Sequence, residues 1–208
     1  MTRRLVAPWF TQPYAAAAPP GVDPQALGAA MFEDLYDTLC ALDLVEAAVL
    51  AAPGSLDRLR PLLWPGALCV EVAPPAAVGA LSALATLGAD TALVVAADAP
   101  DLPPLLVGKA MRALGSAEVA YCEATGGGLV FLAARCPMPR WLLSAAPDLD
   151  DPGAAAVLAR HAPTRALAST PGWHRLRDSA DLGRLDPGLE GWEVTRALLA
   201  GRPLRQPG

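Results

Sequence analysis

Two aspartates stand three residues apart at the end of an apolar run. The run is Ala92 to Ala97, and Asp98 and Asp101 follow it. Paired carboxylates at the end of a buried segment suit a hard divalent cation. Magnesium takes one or two protein oxygens and leaves its remaining positions to water and substrate phosphates. Each aspartate also has a plainer role open to it. A charge is one way to terminate a buried strand. Asp101 stands just before Pro103 and Pro104, in the place of a cap on a following helix. A second acidic group, Asp148-Leu149-Asp150-Asp151, brings three carboxylates together. Helix capping and solvation account for it, and cation attraction is the alternative. His161 and His174 are the only histidines, too few for a His-based zinc site. Cys40, Cys69, Cys122 and Cys136 form no CxxC pair and read as buried small hydrophobes.

The elements that must position Asp98 and Asp101 follow from periodicity. A short, continuous apolar run bounded by turn residues reads as a strand buried on both faces, the kind found in sheets covered by helices. In open α/β sheets, ligands bind beyond the carboxyl ends of the strands, which is where Asp98 falls. Further strands are expected at Leu5 to Phe10, Ala47 to Ala52, Leu68 to Val72, Glu118 to Cys122 and, as an edge, Thr164 to Leu167. Asp23-Pro24 opens a helix whose Leu27, Met31, Leu35, Leu39 and Leu42 recur at helical spacing. Its Glu33, Asp34 and Asp37 read as a solvated face. More helices are expected over Pro75–Leu87, Pro103–Leu114, Arg140–Ala145, Gly153–His161 and Trp192–Leu199, with a helical turn region from Ser55 to Leu63. About seven strands separated by helices imply a single three-layer α/β/α domain with a mainly parallel sheet. The domain spans residues 1–201, and 202–208 form a loose tail.

Composition narrows the classes. The chain has 208 residues and a formal net charge of −5, which opposes a nucleic-acid binder. Hydrophobic residues make up 53%, much of it alanine, and no apolar stretch is long enough to span a bilayer. The basic start, Thr2-Arg3-Arg4, is not followed by a signal-peptide core. The expectation is a cytoplasmic protein with no membrane partner.

The segment Ala96-Ala97-Asp98-Ala99-Pro100-Asp101-Leu102-Pro103 resembles the "GSDxPDLP" stretch of the DUF2064 family. These are glycosyltransferase-like proteins of the GT-A, nucleotide-diphospho-sugar transferase superfamily. Glu123-Ala124-Thr125-Gly126-Gly127-Gly128-Leu129 resembles the family's "PAxDGGYYLIG", with Thr125 in place of its aspartate. Trp173 to Leu182 resembles the late "DxDTPxDL" segment, in which an aspartate approaches the metal. The resemblance implies a GT-A-like fold and magnesium or manganese held by Asp98, Asp101 and Asp178. It implies Thr125, Gly126 and Gly127 at the substrate, and a nucleotide or nucleotide-sugar as ligand. Asp178 also has the form of a helix cap, with Asp181 three residues later. The glycines also have the form of a hairpin loop. The family's basic phosphate loop corresponds to Thr11 to Gly21, which contains no lysine or arginine. Arg3 and Arg4 precede the first strand, Arg175 and Arg177 lie beside Asp178, and Lys109 and Arg112 follow the aspartates; these are the cations on offer.

Two functions emerge. One is a metal-dependent glycosyl- or nucleotidyltransferase-like enzyme in which Asp98 and Asp101 serve catalysis by holding the metal at the diphosphate. The other is a catalytically degenerate relative that works as a small-molecule-binding or protein-interaction module. The missing basic loop favours the second. Arginines converging on Asp98 would favour the first.

Overall fold

The computed structural model describes residues 2–11, 14–73 and 77–201. The expected tail, 202–208, lies outside the described residues. Seven strands form one sheet: β1 (Arg4–Phe10), β2 (Glu46–Ala51), β3 (Leu68–Glu71), β4 (Thr91–Ala96), β5 (Val119–Glu123), β6 (Leu129–Arg135) and β7 (Leu167–Ser169). Their order is β3-β2-β1-β4-β6-β5-β7. β1 pairs in parallel with both β2 and β4, and only β6 runs against its neighbours. The chain moves outward from β1 to β2 and β3, then returns to β1's other side with β4. The carboxyl ends of β1 and β4 therefore flank a topological switch point, where such sheets open a crevice for ligands.

The central strands are buried on both faces because helices cover both. Leu5, Ala7, Trp9, Ala92, Val94 and Ala96 face one layer. It is built by α3 (Ala77–Thr86), α5 (Arg140–Ala145) and α6 (Ala154–His161). Val6, Leu93 and Val95 face the opposite layer, with α1 (Pro24–Cys40) and α4 (Pro104–Ala113). The strand period of two divides each apolar run between the layers, and this is why β1, β4 and β6 carry almost no polar residue. α2 (Leu56–Leu59) is one turn, continued by a tighter turn at Arg60–Leu62. Asp23 caps α1 by accepting from Gln25 N and Ala26 N. Among the described residues no helix is long and apolar enough to cross a membrane.

Three expectations need correction. The edge strand is Leu167–Ser169, further along than Thr164 to Leu167. Cys40 and Cys69 are exposed, while Cys122 is buried. Asp34 does not belong to a solvated face: it is 4% exposed. Its carboxylate accepts from Val194 N at 2.9 Å and Thr195 N at 2.7 Å, so it caps α7 (Glu193–Leu199). A carboxylate at a helix N-terminus satisfies amides that have no partner within the helix. This cap docks α7 on α1.

Candidate functional site

β4 delivers Asp98 and Asp101 to the switch point, and both are buried. Each is already engaged. Asp98 meets Arg175 in a two-pronged ion pair, Nε to Oδ1 at 2.6 Å and Nη2 to Oδ2 at 2.9 Å. The fork of a guanidinium matches the two oxygens of a carboxylate. Asp101 accepts from Trp173 Nε1 at 3.2 Å, and its other oxygen lies 2.9 Å from His174 Nε2. The Trp173 and His174 rings stack with centroids 4.8 Å apart. Asp101 does not cap α4, whose N-cap is Pro103 with no side-chain bond.

The segment carrying these partners is held like an extra strand. Trp173 N donates to Glu123 O, Thr125 N to Trp173 O, and Leu176 N to Asp98 O. Residues 173–176 thus run from the end of β5 to the turn after β4. Arg175 is 5% exposed. Beyond Asp98 it donates from Nη1 to Leu129 O at 3.1 Å and Leu149 O at 3.0 Å. Its Nη2 also pairs with Asp150 Oδ1 at 2.7 Å. Four of the five N–H groups of the guanidinium thus have hydrogen-bond acceptors, and its Nη2 end is also in ion contact with Asp150. Burial works to lower the Arg175 pKa, but Asp98, and then Asp150, raise it above its ordinary value. It is a permanent cation committed to protein acceptors on every nitrogen.

The glycines position this arrangement. Gly126, Gly127 and Gly128 all take positive φ in the β5–β6 hairpin, a conformation that favours residues without a Cβ. A Cβ on Gly128 would stand 2.6 Å from Leu149 O, and one on Gly127 would stand 2.9 Å from the Pro152 Cβ. Their bareness lets the 149–152 segment settle on the hairpin, which brings Leu149 O and Asp150 to Arg175. Thr125 is exposed and hydrogen-bonds Trp173 O. Arg177 donates to Gly127 O. Burial, and next the repulsion from Arg175, hold its pKa below the ordinary range.

Asp178 is not gathered into this cluster. Its Oδ1 accepts from Ala180 N at 2.9 Å, and Asp181 accepts from Asp178 N in return. The two form a reciprocal capping box on the turn Ser179–Arg184. Among the described residues no group of three or more His, Cys, Asp or Glu side chains is disposed to hold a metal ion. The three expected ligands do not converge in this arrangement: Asp98 faces Arg175, Asp101 faces Trp173 and His174, and Asp178 caps its own turn. A cation approaching Asp98 would meet the fixed positive charge of Arg175, so with this pair formed the carboxylate is not open to a metal.

The crevice between β1 and β4 is nearly filled. Trp9, Thr11, Tyr14, Ala96, Ala97, Asp148, Leu149, Asp150 and Arg175 enclose about 10 Å³, room for roughly one water. Tyr14 packs edge-on against Phe10 and rests on α1 at Gly28, where a Cβ would stand 2.8 Å from its ring. Burial, and then the charge of Asp98, raise the Tyr14 pKa well above its ordinary value, so it stays a neutral phenol. On the other side of Asp101 lies a groove of about 1180 Å³ between α1, the start of α4 and α7. Glu33, Asp34, Asp37, Asp101, Glu190 and Glu193 line it, with no basic residue. That charge opposes phosphate.

The other cations stand elsewhere. Arg3 is at the amino end of β1, where it pairs with Glu46 and donates to Leu87 O. β1 is seven residues long, so roughly 20 Å separate that end from the crevice. Lys109 and Arg112 are exposed on α4. Arg175 and Asp150 were available to sequence reasoning only as a cation near Asp178 and a member of an acidic cluster. Their pairing joins residues from separate loops, and no local spacing encodes it.

No family model matches the chain, and no curated protein matches it. Solved structures do. A protein of Desulfovibrio desulfuricans assigned as a nucleotide-diphospho-sugar transferase superposes with TM-score 0.67 at 16% identity, over 99% of this chain and 100% of that one. The 4-diphosphocytidyl-2C-methyl-D-erythritol synthase of Anaerococcus prevotii gives TM-score 0.62 at 11% identity, over 88% and 94%. Rv0371c of Mycobacterium tuberculosis, solved with manganese, gives TM-score 0.51 at 17% identity, over 96% and 99%. At these identities the likeness establishes the architecture. The chain has the single-domain α/β fold of the nucleotide-diphospho-sugar transferases.

Proposed function

We propose that this chain is a catalytically degenerate relative of the nucleotide-diphospho-sugar transferases, and of the DUF2064 group its motifs resemble. It serves as a binding or interaction module rather than as a metal-dependent transferase. One observation carries the reading: both oxygens of Asp98 are taken by Arg175 in a buried ion pair. A metal-dependent transfer needs a carboxylate free to hold the cation that neutralises the diphosphate leaving group. It also needs donors for the phosphates, and every nitrogen of Arg175, the cation paired with Asp98, already serves a protein acceptor. The water-sized crevice supports the same conclusion.

An arginine does converge on Asp98, as the transferase reading asked, but as the partner of the carboxylate rather than as a donor open to phosphate. The transferase reading keeps one further observation in its favour. Asp98 and Asp101 stand at the carboxyl end of β4, beside the switch point where this class of sheet binds ligands. It requires Arg175 to release Asp98 and Tyr14 to leave the crevice.

Thermal unfolding separates the two. Wild type and Asp98→Asn are melted with a panel of nucleotides and nucleotide-sugars, with and without manganese. A ligand that binds the folded state alone raises the melting temperature by mass action. The expected result is no stabilisation that needs manganese and Asp98 together. A nucleotide-dependent rise that requires both overturns the proposal and restores the transferase.

A further inference from the structure

We infer that Arg175 is the resident cation of this site: its guanidinium takes the place between Asp98 and Asp150 that a divalent ion would fill, so that removing it creates a divalent-cation site on those two carboxylates. The inference rests on the degenerate reading above and says what replaced the metal.

The geometry gives three reasons. First, one nitrogen, Nη2, lies 2.9 Å from Asp98 Oδ2 and 2.7 Å from Asp150 Oδ1. Two carboxylate oxygens thus converge on a single positive centre, from which each would have to close in to the roughly 2.1 Å that a magnesium ion keeps. Second, the two carboxylates come from different elements, the turn after β4 and the loop before α6. The fold supports that loop independently of Arg175. Leu129 N donates to Leu149 O, Asp150 N to Asp148 Oδ1, and Gly153 N to Asp151 Oδ1. The acidic pair therefore persists when the arginine is taken away. Third, the pair differs in exposure. The Asp98 side chain is 2% exposed and that of Asp150 is 49% exposed. Asp98 cannot shed its charge into solvent, while Asp150 offers a path by which an ion enters. Two carboxylates with open positions for water are a donor set that magnesium or manganese accepts.

The chemistry also gives the direction of exclusion. A guanidinium stays charged at any pH the protein survives. The wild-type site is therefore closed to divalent ions by electrostatics as well as by space.

The probe is Mn²⁺ alone, without nucleotide, followed by loss of the free-ion electron paramagnetic resonance signal and by thermal unfolding. Wild type, Asp98→Asn, Arg175→Ala, Arg175→Met and each Arg175 variant combined with Asp98→Asn are compared. The methionine variant keeps a long apolar stem, and it carries the comparison if the alanine variant fails to fold. The expected result is that removing the guanidinium tightens Mn²⁺ binding at least tenfold over wild type. The ion should raise the variant's melting temperature, and Asp98→Asn should abolish the gain. A variant that folds only when Mn²⁺ is present also supports the inference. A folded arginine-free variant with no gain overturns it, as does wild-type uptake that Asp98→Asn abolishes. Nucleotide-dependent binding with manganese in a wild type that ignores Mn²⁺ alone would defeat the proposed function and leave this inference standing.

Discussion

Asp98→Asn should cost the fold about 3 kcal/mol. The substitution keeps the shape of the side chain and removes its charge. Asp98 and Arg175 have side chains 2% and 5% exposed, so neither charge is supported by water. Breaking one partner of a buried ion pair costs about 3–5 kcal/mol, because the other charge is stranded. The lower end applies here, since Asp150, Leu129 O and Leu149 O still hold the guanidinium. For a domain of this length, each kcal/mol lowers the melting temperature by about 2–4 °C, so a fall of about 6–12 °C is expected. The matched control is Asp150→Asn. Its carboxylate is 49% exposed, and a pair open to solvent contributes about 1 kcal/mol or less. Equilibrium urea unfolding of wild type and the two variants measures both costs. If Asp98→Asn cost less than about 1 kcal/mol, or no more than Asp150→Asn, Asp98 would not be bound up in the pair. The account of a site closed to metal would then fail.

Asp34 ties stability to pH. Burial pushes its carboxyl from 3.8 up to about 6, outweighing the amide bonds at α7. The folded state then holds a proton that the unfolded state has lost. This contribution is complete below about pH 4 and is lost as pH rises through 6. At about 1.4 kcal/mol per pH unit, the loss is on the order of 3 kcal/mol. Asp34→Asn should flatten that part of the stability–pH curve, and identical slopes in variant and wild type would refute the assignment. Gly128→Ala should destabilise by at least about 2 kcal/mol, combining positive φ with the collision against Leu149 O. Gly126→Ala meets nothing within 4 Å and should cost only about 1 kcal/mol for its backbone conformation; denaturant melts that fail to rank them so would refute the packing argument. Asp101→Ala should free the Trp173 and His174 rings, read as increased quenching of Trp173 emission by iodide against a Trp173→Phe background. Unchanged quenching would mean the rings are held by their stacking alone.

The parts of the fold that sequence reveals are those decided locally. The run Ala92 to Ala97 is too short and too continuous for anything but a buried strand, so β4 and the placement of Asp98 follow from it. Asp23-Pro24 announces α1 for the same reason. What escapes is decided by partners far along the chain. Asp34 falls on the polar side of α1 in a helical count, but α7 arrives about 160 residues later and needs a cap. The late segment from Trp173 is legible as site-forming, yet its spacing favours Asp178, which looks outward to its own turn. Extended backbone turns Arg175 inward, and only the converging loops disclose that. Thr125, Gly126 and Gly127 are legible as a special loop, but whether glycine serves a ligand or another loop depends on where residues 149–152 lie.

The allocation of charge around the end of β4 decides what this protein can hold. A transferase of this architecture must bring two negative partners together, the protein's carboxylates and the ligand's phosphates, and something positive must stand between them. Here the positive charge is supplied from within. Arg175 is spent on Asp98 and Asp150, and the loop expected to cradle phosphate has no base and carries Tyr14 in the crevice. The wider groove presents six carboxylates. Restoring phosphate affinity therefore takes more than opening the crevice. With Tyr14 removed but Arg175 still paired, a phosphate would face Asp148 and Asp150 at the crevice wall with no donor from Arg175. Tyr14→Ala should accordingly enlarge the cavity without conferring nucleotide binding. Titration calorimetry with CTP checks this, and measurable binding by that variant would mean that Arg175 gives up its carboxylates more readily than a buried two-pronged pair should.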